Sequence, residues 1–139
     1  MPDRFVLDTS AIFALTDYEE GWQRVEELLD RAQAGELEVG VCSISLMELY
    51  YVALQEVGED SAARLVTIVK SWPVSWLFPA ERDLLLGGRF KAARKLSFAD
   101  ALIAAVARGH DATLVHKDPA LQTLAEEIDL LALPFKGVS

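Results

Sequence analysis

Short apolar segments alternate with longer amphipathic ones along this chain, and this alternation most constrains its fold. Segments 5–7, 38–42, 74–78, 112–116 and, more weakly, 130–133 are predicted to be strands. Strands that a parallel sheet buries on both faces carry continuous apolar residues. Strands separated by helices pair in parallel through right-handed crossovers. The sequence therefore predicts an α/β fold, a three-layer α/β/α sandwich with a central parallel sheet of about five strands.

Helical spacing of apolar residues predicts the elements between these strands. The expected helices cover residues 10–15, 19–34, 43 or 45 to 57, 61–72, 79–96, 98–108 and 119–127. Ser43 or Ser45 is expected to cap the third helix, and Ser97 the sixth. A chain of 139 residues, 52% of them hydrophobic, can bury a core of its own, so we expect one domain over residues 1–139.

The composition excludes several classes of protein. The longest unbroken apolar run, residues 101–107, is far shorter than the ~20 residues of a membrane span. Asp3 and Asp8 near the amino terminus argue against a signal peptide. A single cysteine, Cys42, rules out an internal disulfide and fits a reducing compartment. We therefore expect a cytoplasmic protein without membrane contact.

Asp8 ends the first predicted strand and is followed by two hydroxyl residues, Thr9 and Ser10. Ligands of open α/β sheets bind at the carboxyl ends of strands, so Asp8 is a candidate ligand-binding residue. A simpler interpretation is that its carboxylate caps the helix that follows. On this segment alone, the two interpretations carry equal weight.

Three more acids stand in unusual places. Glu48 lies in a helix that is apolar nearly all round, and no basic residue stands within one helical turn of it. Either another part of the fold compensates its buried charge, or the Glu48 side chain reaches the edge of the helix and is not buried. Asp100 forms a capping-box pattern with Ser97. Asp118 precedes Pro119, as a helix N-cap often does. Each acid by itself therefore has a structural explanation.

Together the four acids indicate a cation site. If the first and fourth strands are neighbours, the acids near their ends meet at one rim of the sheet, and Glu48 reaches in from its helix. Two carboxylates ~4 Å apart repel by about 4 kcal/mol at an effective dielectric of 20, so such a cluster needs protons or cations. Oxygen ligands select Mg²⁺ or Mn²⁺. The absence of a usable Cys/His set argues against zinc.

Four segments carry a resemblance to a known family. They are residues 5–11 (FVLDTSA), Glu48, residues 96–105 (LSFADALIAA) and residues 114–118 (LVHKD). In type and order they resemble the PIN domain, and most closely the ribonuclease toxins of VapBC-type toxin–antitoxin pairs. The resemblance covers the whole chain, and it implies a PIN-like sheet with strand order 3-2-1-4-5.

The resemblance also implies an activity, which is metal-dependent endonucleolytic cleavage of single-stranded RNA to 5′-phosphate and 3′-hydroxyl products. The implied catalytic residues and ligands of one or two Mg²⁺ or Mn²⁺ ions are Asp8, Glu48, Asp100 and, as a weaker fourth ligand, Asp118. Thr9 and Ser10 would orient Asp8 or a metal-bound water. The implied partners are an RNA substrate, a cognate antitoxin and a second copy of the chain in a homodimer. Tyr50 and Tyr51, beside Glu48, mark a surface for the antitoxin or the second copy.

Basic residues cluster just before Asp100. The net charge of −9 argues against a nucleic-acid partner, because Lys and Arg carry phosphate binding. Four of the 13 basic residues nevertheless fall within residues 89–95: Arg89, Lys91, Arg94 and Lys95. They either steer RNA phosphates toward the acids or form an ordinary solvated helix face.

His116 departs from the family pattern, which often has Thr, Ser or Asn two residues before the last acid. It could contact RNA, replace the usual hydroxyl or pack at the strand end. The departure leaves the polar support of Asp118 open. It is also the one feature that favours an alternative function, a non-catalytic interaction module that keeps the fold but has lost cleavage.

Two other families with an acid at the end of the first strand fit poorly. A haloacid-dehalogenase-like phosphatase carries a second Asp two residues after the first, and Ser10 stands there. A receiver domain needs a phosphate-accepting acid after its third strand, where Pro79 and Ala80 stand.

Overall fold

A computed structural model describes residues 3–137 of the protein. Its strands are β1 (Asp3–Leu7), β2 (Leu37–Cys42), β3 (Ser75–Leu77), β4 (Thr113–His116) and β5 (Leu130–Ala132). Its α-helices are α1 (Thr9–Thr16), α2 (Trp22–Gln33), α3 (Ser43–Val57), α4 (Glu59–Lys70), α5 (Glu81–Ala93) and α6 (Phe98–Gly109). A 3₁₀ helix covers Pro119–Leu124. Within this part of the chain, none of the helices is long and apolar enough to cross a bilayer.

The five strands form one sheet in the order β3-β2-β1-β4-β5, and every neighbouring pair is parallel. The predicted strand order is therefore confirmed. Each strand lies within two residues of its predicted position, because short apolar segments between polar breakers leave little freedom in where a buried strand begins and ends. This order places β1 at the centre, with β2 on one side and β4 on the other.

Both faces of the sheet are buried. Val6 and Leu114 point into one core, which α5 and α6 cover, whereas Leu7 and Val115 point into the other, which α1 to α4 cover. All four side chains are at most 1% exposed. Successive residues of a strand point to opposite faces, so a strand between two helical layers must be apolar at every position. The predicted three-layer α/β/α sandwich is confirmed.

Two predicted helix ends are wrong for reasons of local backbone geometry. The second helix was expected from residue 19 but begins at Trp22, because Tyr18 (φ 51°) and Gly21 (φ 97°) adopt left-handed conformations that interrupt it. The fifth helix was expected to reach residue 96 but ends at Ala93. Arg94 there takes an extended backbone conformation (φ −141°, ψ 160°) that a helix cannot continue.

Two local predictions near the site also need correction. Neither Ser43 nor Ser45 caps α3; the N-cap position is Cys42, and it makes no side-chain hydrogen bond to the helix. The helix predicted over residues 119–127 is shorter, because it ends at Leu124, and it is a 3₁₀ helix. The predicted caps at Ser97 and Asp118 are confirmed, since both side chains accept a backbone N–H of the helix they precede.

Candidate functional site

The four predicted acids lie at the carboxyl-end rim of the sheet or on helices that begin near it. Asp8 directly follows β1, and Asp118 lies two residues after β4. The two strands are hydrogen-bonded neighbours, so their ends are adjacent. Asp100 is the third residue of α6, and Glu48 lies in α3, which begins where β2 ends.

The two carboxylate oxygens of Asp8 have different surroundings. Its Oδ2 accepts hydrogen bonds from the backbone N–H of Ser10 at 3.0 Å and from the Ser10 hydroxyl at 2.5 Å. Its Oδ1 is buried and has no hydrogen-bond partner among the residues described. The residue is only 2% exposed. A buried polar atom without a partner is rare in folded proteins and calls for a ligand, a water or a proton.

Electrostatics at Asp8 favour protonation or a cation. Burial raises the pKa of Asp8 to about 6, and the charges of Glu48 and Asp118 add to the rise. The hydrogen bonds from Ser10 oppose it. Within residues 3–137, the ion pairs do not include any of the four acids, so no basic side chain compensates their charge.

Thr9 links two helices through its hydroxyl. Its Oγ1 donates to Glu48 Oε1 at 2.5 Å and lies 2.9 Å from Ser45 Oγ, which is fully buried. Since the single hydroxyl proton of Thr9 goes to Glu48, Ser45 is the donor to Thr9. Thr9 therefore holds Glu48. The role expected for it from the sequence was to orient Asp8 or a metal-bound water, and the described chain shows no hydrogen bond from its hydroxyl to Asp8.

Ser10 connects Asp8 to the end of β4. While its hydroxyl donates to Asp8, its Oγ accepts the backbone N–H of Lys117 at 2.8 Å. The Lys117 ammonium does not pair with any of the four predicted acids. It donates to the backbone oxygen of Glu20 at 2.6 Å and lies 3.9 Å from the Glu19 carboxylate. Lys117 thus fixes the rim without neutralising it.

The pKa of Asp100 is raised more than that of Asp8. Burial is the main cause, and the charge of Asp8, a hydrogen bond with Asp118 and the charge of Asp118 contribute, so that the pKa of Asp100 reaches about 8. The Ser97 side chain lowers it, and Ser97 Oγ also accepts the Asp100 backbone N–H at 3.1 Å. Asp8, Asp100 and Asp118 therefore interact with one another at the rim, as the sequence predicted.

Asp118 is anchored by two local hydrogen bonds. Its Oδ1 accepts the backbone N–H of Ala120 at 2.9 Å, and its own N–H donates to His116 Nδ1 at 3.2 Å. His116 is fully buried, and its Nε2 lies 3.1 Å from Gln122 Oε1. Of the three roles left open for His116, this geometry matches the replacement of a hydroxyl and packing. An RNA contact, the third role, does not fit a side chain with no exposed surface.

The predicted basic run divides into two pairs. Lys91 Nζ donates to the backbone oxygen of Leu96 at 3.0 Å, and Arg94 binds the Thr123 backbone oxygen at 3.1 Å and the Glu127 carboxylate. Arg89 and Lys95 are exposed, and in the described part of the chain no hydrogen bond or ion pair involves their side chains. Only the second pair is available to an external ligand without breaking internal contacts.

Among residues 3–137, no three acidic, histidine or cysteine side chains stand close enough to hold a metal ion as they are. The acids interact in pairs, because the charge of one raises the pKa of another.

The sequence did not indicate Ser45 and Lys117, which hold the candidate site in place through hydrogen bonds to Thr9 and Ser10. Ser45 had a usable signal, because it lies three residues before Glu48 and so shares its helix face.

Several solved structures resemble this chain in fold. A chain of VapBC2 from Rickettsia felis, bound to a DNA fragment from its promoter, matches with a TM-score of 0.75 and 18% identity over 94% of this chain and 99% of that one. A chain of DNA-bound VapBC from Salmonella typhimurium gives 0.72 and 22% over 95% and 98%. Mycobacterium tuberculosis VapC20, a sarcin-ricin loop cleaving toxin, gives 0.67 and 19% over 86% and 93%. No curated protein matches the chain in sequence.

The PIN domain family model matches residues 5–127. This range contains all four acids and the hydroxyl residues that hold two of them. Of the five strands, it includes all but β5 and the first two residues of β1. The match spans most of the chain and agrees with the strand order and the rim of acids. The chain therefore belongs to the PIN domain family.

Proposed function

We propose that this chain is a metal-dependent endoribonuclease that cleaves single-stranded RNA, and that it is the toxin of a VapBC-type toxin–antitoxin pair. The observation that carries the proposal is Asp8 Oδ1, which is buried without a partner beside other uncompensated carboxylates. Burying a charged oxygen in this way costs free energy unless a proton or cation completes it. A hard divalent cation at the rim would satisfy it.

The residues at the rim fit Mg²⁺ or Mn²⁺. The proposed ligands are the oxygens of Asp8, Glu48, Asp100 and, as the weaker fourth, Asp118. These cations prefer oxygen ligands and keep several waters. With its pKa raised to about 8, Asp100 keeps a proton near neutral pH in the metal-free site, whereas Asp8, with a pKa of about 6, is mostly ionised there. A divalent cation would take the place of this proton and compensate the charge of Asp8.

The neighbouring residues orient these acids. Ser10 holds Asp8 through Oδ2 and leaves Oδ1 facing the site, while Thr9, supported by Ser45, fixes Glu48. When bound, a divalent ion supplies a water of lowered pKa and neutralises charge on the scissile phosphate. Outer partners of this kind commonly contribute about 10–100-fold to metal affinity or activity.

The decisive experiment compares wild type with Asp8→Asn on a mixed RNA pool, in Mn²⁺, in Mg²⁺ and in EDTA. We expect cleavage by wild type only with metal, with 5′-phosphate ends, and a loss in Asp8→Asn that exceeds the roughly 10–100-fold cost of losing an outer partner. Glu36→Gln, which removes one exposed carboxylate elsewhere on the surface, should cleave as wild type does. No cleavage by folded, partner-free wild type under any metal condition would favour the non-catalytic module.

RNA would approach past Arg89 and Lys95, which are exposed and make no internal polar contacts in the described chain. Removing one phosphate-binding cation from a complex with single-stranded RNA lowers the slope of log affinity against log salt by about 0.7. The double variant Arg89→Ala/Lys95→Ala should therefore lower that slope by about 1.4, measured on a cleavage-deficient Asp8→Asn background. An unchanged slope would assign this pair to the solvated face of α5.

Arg94→Ala is the matched control for this experiment. Its guanidinium already binds Glu127 and the Thr123 backbone oxygen, so its removal should lower the melting temperature and leave the salt slope unchanged. If Arg94→Ala changed the salt slope as much as the double variant, the division of the basic run into two pairs would be wrong.

An antitoxin would bind the apolar surface of α3 and α4. Met47, Tyr51, Val57 and Ile68 are 44–65% exposed there, and a groove of about 280 Å³ lies between these helices and α1. Apolar patches of this kind mark protein-binding surfaces. If a short open reading frame lies upstream, its product should co-purify with wild type and not with Ile68→Glu, and light scattering would show whether a homodimer occupies the surface instead.

A further inference from the structure

The His116 ring is held on three sides at the end of β4. Its Nδ1 accepts the backbone N–H of Asp118 at 3.2 Å, and its Nε2 lies 3.1 Å from Gln122 Oε1. The ring also packs against Phe135, with centroids 5.9 Å apart and planes tilted by 35°. None of its surface is exposed. The ring is therefore buried, both of its nitrogens have polar partners, and it lies two residues before a proposed metal ligand.

The contacts define one tautomer. A backbone N–H can only donate, so His116 Nδ1 must carry a lone pair, and the ring proton must lie on Nε2. That proton is then donated to Gln122 Oε1.

The Nδ1 contact has the connectivity that Ser, Thr and Asn side chains make in tight turns. In those turns a side-chain oxygen of one residue accepts the backbone N–H of the residue two positions later. His116 makes this bond to Asp118, and Asp118 repeats it with Ala120 at 2.9 Å. Two successive bonds of this type define the path of the chain from β4 into the 3₁₀ helix.

We propose that His116 is a positioning residue for Asp118. Its Nδ1 takes the place of a hydroxyl or amide oxygen at this position, fixes the turn over residues 116–118, and so directs the Asp118 carboxyl toward Asp100. The Nε2 contact to Gln122 and the packing on Phe135 hold the ring in the orientation that this requires. The inference rests on the proposed function only in treating Asp118 as a metal ligand.

The first test reads the tautomer in metal-free protein. The chain has two histidines, so long-range ¹H–¹⁵N spectra of the wild type and of His110→Gln assign the ring of His116. We expect a neutral ring protonated at Nε2, and slow exchange of the Asp118 amide. A ring protonated at Nδ1 would overturn the proposal. This readout does not depend on RNA cleavage, so it stands or fails apart from the proposed function.

The second test uses three substitutions that separate the two ring nitrogens. His116→Asn keeps an acceptor where Nδ1 lies, His116→Thr supplies a hydroxyl for the same turn, and His116→Gln keeps only a polar group near Nε2. Mn²⁺ affinity, measured by electron paramagnetic resonance without RNA, should stay within about threefold of wild type for the first two. For His116→Gln it should fall by about tenfold or more, the usual effect of losing an outer partner.

Thermal melts and the Asp118 amide exchange rate accompany each variant. A purely structural role for His116 would make the affinity loss follow the loss of melting temperature across all three substitutions, and this result would overturn the proposal. Equal Mn²⁺ affinity in His116→Gln and His116→Asn would overturn it as well. Rescue by Asn and Thr, with fast Asp118 exchange only in the Gln variant, is the outcome that supports it.

Discussion

Asp8→Asn should make the metal-free protein more stable, even though it removes the residue on which the proposed activity depends most. Asp8 is 2% exposed, and its Oδ1 has no partner in the described chain. An asparagine oxygen can accept the two hydrogen bonds from Ser10 that Oδ2 now accepts. The substitution therefore removes a buried negative charge and keeps the helix cap.

The size of the effect follows from proton linkage. Burial raises the pKa of Asp8 from 3.8 to about 6, so between these values the folded state binds a proton that the unfolded chain has released. Stability therefore falls as pH rises from about 4 to 6, and the loss remains complete above pH 6. Each pKa unit is worth about 1.4 kcal/mol, so ionised Asp8 lowers the free energy of unfolding by about 3 kcal/mol.

Asp8→Asn is neutral at every pH and escapes this loss. In EDTA it should match wild type near pH 4 and exceed it by about 3 kcal/mol above pH 6. After burial, the charge of Asp8 is the largest cause of the raised pKa of Asp100. Removing this charge makes Asp100 easier to ionise, which further stabilises the Asp8→Asn variant. Urea denaturation at several pH values, followed by the fluorescence of the three tryptophans, measures both curves.

Metal should reverse the order. At 1,000 times its dissociation constant, a ligand that binds only the folded state stabilises it by about 4.1 kcal/mol. Only wild type should gain this with Mn²⁺, and the gain exceeds the ~3 kcal/mol advantage that Asp8→Asn has in EDTA. Glu36→Gln, the loss of one exposed carboxylate, should follow wild type in both conditions. If Asp8→Asn gained no stability in EDTA above pH 6, or the same gain at pH 4, the buried charge we infer would not exist.

Three further substitutions test local packing, one at the rim of acids and two on α5 and α6 away from it. Thr9→Val removes the hydroxyl that donates to Glu48 at 2.5 Å, so Mn²⁺ affinity should fall and unfolding free energy should drop by about 1–3 kcal/mol, measured by titration and urea denaturation. Gly109→Ala would place its Cβ 2.5 Å from Asp83 Oδ1 and should lower stability by about 1–3 kcal/mol in thermal melts. Gly88 lies inside α5, and a Cβ there would meet no atom within 4 Å. In the same assay Gly88→Ala should therefore raise stability by about 1 kcal/mol. Equal effects of the two alanine substitutions would contradict the packing argument.

The strands were predictable because their signal is local. A run such as residues 5–7 is apolar at every position, and only a buried parallel strand of that length fits it. The end of α5 was less predictable, because it is tied to a distant partner. Arg94 leaves α5 in an extended conformation while its guanidinium binds Glu127, and nothing near Arg94 in sequence indicates that pairing.

The same distinction applies to the site. The four acids of the candidate site stood out, because an acid at a strand end or in an apolar helix is unusual for its type. Their supports did not, since Ser45 reaches Thr9 across 36 positions and Lys117 reaches Ser10 across 107. Such contacts appear only when the sheet brings β1, β4 and α3 together.

The two interpretations of Asp8 that the sequence left in balance do not compete, because they use different atoms. Oδ2 caps α1 by accepting from Ser10, whereas the cap leaves Oδ1 buried and unpartnered in the described chain. Glu48 and Asp118 are likewise each held through one oxygen, by Thr9 and by the Ala120 backbone. A carboxylate anchored in this way has its direction fixed by the fold, and its second oxygen remains for a cation. These anchoring bonds therefore leave each acid able to act as the ligand we propose, and a variant that kept the bonds but lost the charges should fold well and bind no metal.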